Sequence, residues 1–408
     1  MAKKYFEFSD MKCVPVDGDR TLAGEHLVIH CHHYNSRLQR SLENCSLVDG
    51  KGIFKEAAER TFFRQIRVAA SEQKLNSPEE VLKMAADLYR FQGFGVLDFS
   101  SHQVNQVRGV SSHYVEGWNC CYERESRPVC TFAEGYIAAA MGAAMGVRYE
   151  VVETECMYQG GDCCKFEIRE TQEHPLKFEW FVPEVLATDH SKMLAEAANP
   201  RVDMIKIRDT VFGLPLEGNE QGLIPAFNVY LAHMPREFYN VVSGLFVKQM
   251  EAQGLGETGY AMLEEDAEVC SLTTFSGIMA SDEWAALVQP MIKYTEDNIF
   301  GLVAIINALG WGSVRLIEHQ AAETLNIQTA NAYEIYTPKD LRMAEAKTHC
   351  PMMSGVMAGL LELVYLDIPF EDRRGLYQTE ETDCSANGHA FCDFHTKRAM
   401  SAATKAAA

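Results

Sequence analysis

A short cysteine motif occurs twice in this chain of 408 residues and constrains its fold more than any other feature. Both copies have the form E-T-[E/D]-C-x7-C-x-F, and they begin at Glu153 and Glu381. Turn-forming residues lie between the two cysteines of each copy, at 159–162 and 385–388. This pattern predicts a β-hairpin in which the two cysteines meet across the loop.

The spacing within the motif adds a geometric condition. Glu153 and Cys156 are three positions apart, so on a regular strand their side chains would face opposite ways. If both serve one site, a β-bulge or a strand end must fall between them.

Other segments repeat with the motif. Residues 215–219 resemble 15–19, residues 228–233 resemble the strand near 26–33, and a small-residue helix follows both Cys130 and Cys350. This alignment places His233 beside His33. We therefore predict an α/β (α+β) protein with two copies of one module, each a small mixed sheet with packed helices and a C-terminal hairpin. The expected modules are 1–170 and 211–400, with a linker at 171–210 and a flexible tail at 401–408.

Local signals predict several individual elements. Ser77 and Pro78 mark a helix start, and that helix is expected to stop before Gly93. Further expectations are strands at 27–31 and 106–114, and helices from Ser36, at 191–198, and from Ser281 to just before Gly310.

Composition restricts the function classes. The net charge of −20 argues against a nucleic-acid or anionic-membrane partner. The sequence has no run of about 18 apolar residues and no apolar segment typical of a signal peptide, which predicts a cytoplasmic protein without a membrane span. In that compartment the thirteen cysteines are expected to be thiols or metal ligands and not disulfides.

The segment Pro128-Val129-Cys130, followed by Gly135-Tyr136 and the first cysteine motif, resembles the 4-vinyl-reductase domain. The similarity is strongest to the sensory domains of phenol- and xylene-responsive bacterial activators. In that family a cysteine at the head of a helix, a glutamate and two hairpin cysteines bind zinc. The resemblance implies two zinc ions per chain, with ligands Cys130, Glu153, Cys156 and Cys164 in the first half and Cys350, Glu381, Cys384 and Cys392 in the second.

Three thiolates and one carboxylate fill a tetrahedral zinc site, which is typical of a structural centre. The alternative interpretation is buried cysteines beside a surface acid. The second half departs from the pattern by a longer loop between Cys350 and Glu381. The resemblance also implies a fold related to TRAPP subunits and haem-NO-binding domains, a homodimer or protein partner, and an apolar small-molecule pocket above the zinc.

A histidine cluster is a separate candidate site. Strand alternation would place His26, His30 and His32 on one face, next to His33. Such a cluster is either a solvated polar strand end, a second metal site, or a ligand-binding or proton-transfer site. The second half keeps only His233, so any such site is asymmetric.

Two further groups of side chains can each be interpreted in two ways. His113, Tyr114 and Trp118 stand where family members place pocket residues, but ordinary core packing also explains them. Cys120, Cys121 and Cys163 are either core filler or soft-metal and redox thiols.

These patterns predict a zinc-containing protein that binds a small hydrophobic or aromatic molecule and has no output domain of its own. The lack of a phosphate-binding loop or nucleophile elbow favours a binding protein over an enzyme. One alternative is an enzyme or enzyme subunit that uses a metal or cofactor at His30, His32 and His33, such as a reductase or a tetrapyrrole-related enzyme. Another is an assembly or scaffold protein.

Overall fold

The two halves of the chain contain related but not identical series of helices and strands. The computed structural model describes residues 4–171, 190–343, 346 and 348–399, so the predicted tail and residues 172–189 of the predicted linker lie outside the described residues. The first half contains β1 (Lys12–Val14), β2 (Asp19–Leu22), β3 (Glu25–Cys31), α1 (His32–Asn44), α2 (Gly50–Glu72), α3 (Pro78–Phe91), β4 (Gly95–Asp98), β5 (Gln106–Ser112), α4 (His113–Cys121), α5 (Thr131–Met145), β6 (Tyr149–Glu155) and β7 (Cys164–Glu170). The second half contains α6 (Met204–Phe212), β8 (Ile224–Ala226), β9 (Val229–Pro235), α7 (Arg236–Glu251), α8 (Gly256–Met279), α9 (Asp282–Leu287), α10 (Asp297–Ala308), β10 (Val314–Gln320), β11 (Thr324–Thr329), α11 (Pro351–Tyr365), β12 (Tyr377–Asp383) and β13 (Cys392–Arg398).

Several helix ends follow directly from the sequence. At the start of α3 the Ser77 side chain accepts a hydrogen bond from the Glu80 amide, as predicted. Helix α5 begins directly after Cys130 and ends at Gly146, which has a left-handed backbone conformation. No α-helix in the described part of the chain has the length and hydropathy of a membrane-spanning segment.

Four predicted elements differ in the structure, and the first of them is α1, which begins at His32 and not at Ser36. The helix expected from Ser281 is broken into α9 and α10 by a 3₁₀ turn at Gln289–Met291, because Pro290 cannot donate an intrahelical hydrogen bond. The strand expected at 106–114 ends at Ser112, whose side chain caps α4. The helix expected at 191–198 is not observed, and α6 begins further along the chain.

The strands form three sheets, and all their pairs are antiparallel. Two four-stranded sheets have the equivalent orders β4-β5-β7-β6 and β10-β11-β13-β12. Each of them ends in the hairpin that carries a cysteine motif. The α+β class is therefore confirmed, with antiparallel rather than mixed sheets.

The third sheet, in the order β1-β2-β3-β9-β8, joins the two halves. At its centre Ile29 lies opposite His233. Each stands two residues before the N-cap of the next helix, which is Cys31 for α1 and Pro235 for α7. The structural counterpart of His233 is therefore Ile29, and the predicted alignment of His233 with His33 is wrong.

Equivalent hydrogen bonds connect the two halves in both directions. The Ile29 amide donates to the Leu309 carbonyl at 2.8 Å, and the His233 amide donates to the Gln92 carbonyl at 2.8 Å. The indole Nε1 of Trp311 donates to the Ile29 carbonyl at 2.9 Å. One hydrophobic core consequently runs through both halves.

Small residues let the helices that follow Cys130 and Cys350 pack closely on long neighbouring helices. Helix α5 packs on α2, and α11 packs on α8. A Cβ atom at Gly135 would lie 2.4 Å from the Lys55 carbonyl oxygen, and one at Gly355 would lie 2.1 Å from the Glu264 carbonyl oxygen. Gly135 is the fifth residue after Cys130 and Gly355 the fifth after Cys350, so the same close approach recurs in each half.

Candidate metal centres

The four predicted ligands of the first half converge at one point. Cys130 is the N-cap of α5, Glu153 lies in β6, Cys156 directly follows β6, and Cys164 begins β7. Their ligand atoms all lie within 4.8 Å of one another. The Cys164 sulfur is 3.5 Å from that of Cys130 and 3.9 Å from that of Cys156. Sulfurs on a tetrahedral zinc lie about 3.8 Å apart, given Zn–S bonds of about 2.3 Å.

The predicted strand irregularity is present. The pairing of β6 with β7 shifts register between Glu153 and Glu155, and Cys156 lies just beyond the strand end. The bulge turns Glu153 and Cys156 to the same side. The Met157 amide donates to the Cys164 sulfur at 3.4 Å, which holds the loop around the cysteines.

The surroundings of the Glu153 carboxylate suit it to bind a cation. Glu153 Oε2 accepts the Cys130 amide at 2.8 Å, while Oε1 is buried and has no hydrogen-bond partner among the described residues. Burial raises the pKa of Glu153 to about 8. Hydrogen bonds with Cys130 and Cys164 lower the pKa of Cys156 to about 2. A metal cation would stabilise the ionised forms of all four groups together.

Glu134 supports this centre and was missed in the sequence analysis. Its Oε1 accepts the Glu153 amide at 2.8 Å, and its carboxylate pairs with Lys51 at 3.1 Å and Lys55 at 2.9 Å. These contacts hold the strand that carries Glu153 against α5 and α2. Glu134 is the one charged residue in the apolar helix α5, and that signal could have identified it.

The second half repeats the arrangement despite its longer loop. The ligand atoms of Cys350, Glu381, Cys384 and Cys392 also lie within 4.8 Å of one another. The Cys392 sulfur is 3.9 Å from each of the other two sulfurs. Glu381 Oε2 accepts the Cys350 amide at 3.0 Å, and its buried Oε1 has no hydrogen-bond partner in the described chain. Burial raises the pKa of Glu381 to about 9.

His349 is a feature of the second centre that the sequence analysis also missed. Its amide donates to Glu381 Oε2 at 3.1 Å, and its ring contacts Tyr260 at 3.2 Å and Asn387 at 3.1 Å. The ring therefore ties the hairpin turn to α8. Its position directly before Cys350 was the available signal.

The predicted histidine cluster is divided in the structure. His26 pairs with Asp19 at 2.6 Å, and His30 points into a buried group of aromatic rings. His32 begins α1, so the prediction that it continues the strand face of His26 and His30 is wrong. The His30 ring centroid lies 4.7 Å from that of Trp311 and 4.6 Å from those of Tyr34 and Tyr239.

His32 and His33 instead lie with Cys120. The ligand atoms of these three residues are within 4.8 Å of one another. Cys120 is exposed, so core packing does not explain it, whereas Cys163 is buried and contacts Arg108 at 3.6 Å.

The pocket candidates on α4, His113, Tyr114 and Trp118, are all buried. Ser112, which caps α4, lies 3.6 Å from the Cys130 sulfur, and Trp118 packs on Tyr158 in the hairpin loop. His113 Nε2 contacts Asn35 at 2.9 Å. Three polar atoms of these pocket candidates have no hydrogen-bond partner among the described residues: His113 Nδ1, the Tyr114 hydroxyl and Trp118 Nε1.

Comparisons with known proteins agree with part of this picture. The 4-vinyl-reductase domain family matches residues 115–170, a segment that contains all four ligand candidates of the first centre. No curated protein sequence matches the chain. A crystal structure of the phenol-responsive sensory domain of the transcription activator PoxR with phenol is similar at 14% identity and a TM-score of 0.34, over 40% of this chain and 85% of that chain. Residues 115–170 are thus similar to the 4-vinyl-reductase domain.

Proposed function

We propose that the chain binds a small hydrophobic or aromatic molecule and that each half is built around one zinc ion. The family match over 115–170 supports a 4-vinyl-reductase-like module in the first half. The second centre has the same donors at the same places on a helix, a strand and a hairpin. This repetition supports a second module, with domains at 1–170 and 211–400.

Zinc would have a structural role in both centres. Three thiolates and a carboxylate satisfy the four positions of tetrahedral zinc and leave none for a substrate. The ion would join the N-terminus of α5 or α11 to the hairpin that follows. The unpartnered Oε1 atoms of Glu153 and Glu381 supply the buried oxygen that this donor set needs.

The three unpartnered polar atoms on α4 are the observation that carries the ligand proposal. A buried polar group without a partner costs about 1–3 kcal/mol, so such groups normally serve a role. The Tyr114 ring stacks on Phe132 at 5.0 Å and meets Phe54 at 6.3 Å, which makes its surroundings aromatic. A ligand with an apolar ring and a hydroxyl group would satisfy both features.

Phenol is expected to stabilise the protein through this site. At a concentration 100 times its Kd, a ligand raises the free energy of unfolding by about 2.7 kcal/mol. Trp118→Phe keeps an aromatic ring but removes the Nε1 donor, so it should weaken the phenol-dependent rise in Tm. Trp284→Phe is the matched control, because Trp284 is equally buried with an unpartnered Nε1 but lies in α9.

Differential scanning fluorimetry with phenol, methylphenols and xylene tests this proposal. A saturable shift in the wild type and in Trp284→Phe, reduced in Trp118→Phe, supports it. The absence of a saturable shift in the wild type, or equal shifts in all three proteins, contradicts it. The homodimer, the cytoplasmic location and the enzyme and scaffold alternatives stay predictions.

A further inference from the structure

Three ligand-type side chains unrelated to the Cys/Glu centres meet where α1 contacts α4. His32 and His33 are the first two residues of α1, and Cys120 lies in the last turn of α4. The Cys120 sulfur is 3.5 Å from His33 Nε2, and the two imidazole centroids are 4.0 Å apart. Two imidazoles and a thiolate are donors that zinc, copper and cobalt ions favour.

The backbone holds these residues together. A Cβ atom at Gly117 of α4 would lie 2.7 Å from the His32 carbonyl oxygen and 3.0 Å from the Ser36 side chain. The Ser36 hydroxyl donates to the His32 carbonyl at 2.8 Å and approaches the Cys121 sulfur at 3.9 Å. Close contact between the two helices therefore places Cys120 over the histidines without help from a metal.

The second half of the chain orients the His32 ring. His32 Nδ1 lies 3.3 Å from the carbonyl oxygen and 3.1 Å from the amide nitrogen of Tyr230 in β9. In the structure the Tyr230 amide donates to Nδ1, so a metal at Nε2 requires a change to the other tautomer, in which Nδ1 carries the proton and donates to the Tyr230 carbonyl. A backbone carbonyl in this role is a common partner of metal-binding histidines.

The group opens to a cleft of about 680 Å³. His32 and Cys120 line it on one side, and residues of β8 and β9 line the other. Glu116, Asp282 and Glu283 also line the cleft and give it a negative potential that attracts cations. Two of the three protein donors, His32 and Cys120, line the cleft, so a fourth coordination position is left for water or a ligand, as in catalytic zinc sites.

This group has no counterpart among the described residues of the second half. The first two residues of α7, which correspond to His32 and His33, are Arg236 and Glu237. The repeated scaffold thus keeps both Cys/Glu centres but has the histidine–cysteine group once.

We infer that His32, His33 and Cys120 form a third, exchangeable transition-metal site whose open position faces the cleft. The site takes a borderline or soft divalent ion and, from the cleft, a small molecule with a nitrogen, oxygen or sulfur donor atom. It uses none of the residues of the two zinc centres, so it stands independently of their assignment.

Cobalt titration of the full chain tests this inference. The protein is first treated with a mild chelator that leaves tightly held metal in place, and Co²⁺ is then added. Bound cobalt, retained zinc and thiolate-to-cobalt absorption are measured together. The wild type is expected to bind one Co²⁺ without releasing zinc. Cys120→Ser and His33→Ala should weaken this binding by more than about tenfold, while Cys13→Ser, which removes another exposed thiol, should not.

Because Cys120 is exposed, Cys120→Ser is expected to fold normally, and a circular dichroism melt is the measurement that checks this. The inference is overturned if the wild type binds no cobalt beyond its resident metal. It is also overturned if Cys120→Ser binds cobalt as tightly as the wild type. If the zinc proposal fails, the purified protein will lack the expected resident zinc before any cobalt is added.

Discussion

Replacing Cys164 with serine is expected to release the metal of the first centre and to destabilise the β6–β7 hairpin strongly. The Cys164 sulfur is adjacent to both other sulfurs of the centre, so the substitution removes a metal ligand that contacts both of the other thiols. Apparent zinc-binding free energies of structural sites are about 10–16 kcal/mol, and this binding is coupled to folding. We expect metal content to fall by one ion per chain and Tm to fall well below that of the wild type.

A neighbouring cysteine provides the matched control. Cys163 is also buried and lies in the same loop, but its sulfur contacts Arg108 and not the centre. Cys163→Ser should keep full metal content, and Cys392→Ser should reproduce the loss at the second centre. If Cys164→Ser keeps two metal ions and the wild-type Tm, the ligand assignment of the first centre is wrong.

Replacing Arg64 with alanine is expected to cost about 3–5 kcal/mol of folding free energy. Arg64 in α2 pairs with Glu25 of β3 and with Glu237 of α7, so it links the two halves across the shared sheet. Glu25 and Glu237 are both buried. Without the guanidinium, two carboxylates would be left close together in the interior with much of their compensating charge removed.

Denaturant unfolding of Arg64→Ala measures this effect. Arg67→Ala on an exposed position of the same helix is the control and should change stability by less than about 0.5 kcal/mol. Adding Glu25→Gln and Glu237→Gln to Arg64→Ala should recover part of the loss, because neutral amides cost less to bury than carboxylates. A loss for Arg64→Ala as small as that of the control would show that this network does not hold the halves together.

The hairpins and the helix starts at Ser77 and Ser281 were predictable because their signals are local. The turn residues between Cys156 and Cys164 identify the hairpin, and the odd spacing of Glu153 and Cys156 requires the bulge that the structure contains. The small residues after Cys130 and Cys350 likewise predict close helix packing. In each case the information lies within a short stretch of sequence.

The remaining features depend on contacts that are distant in sequence. Nothing local indicates that β3 pairs with β9, because the apolar patterns of both strands fit other partners equally well. The start of α1 was missed because its N-cap is Cys31, whose sulfur accepts the Tyr34 amide in place of the usual hydroxyl or carboxylate. The proximity of Cys120 to His32 and His33 results from the close approach of α4 at Gly117, which is a tertiary contact.

Metal content and coordination, measured together on the purified chain, test the central claim most directly. After mild chelation, elemental analysis should find two zinc ions per chain. X-ray absorption at the zinc edge should show three sulfur neighbours at about 2.3 Å and one oxygen neighbour at about 2.0–2.2 Å per zinc. A protein that is folded but contains no tightly held metal, or zinc without sulfur neighbours, would contradict the account.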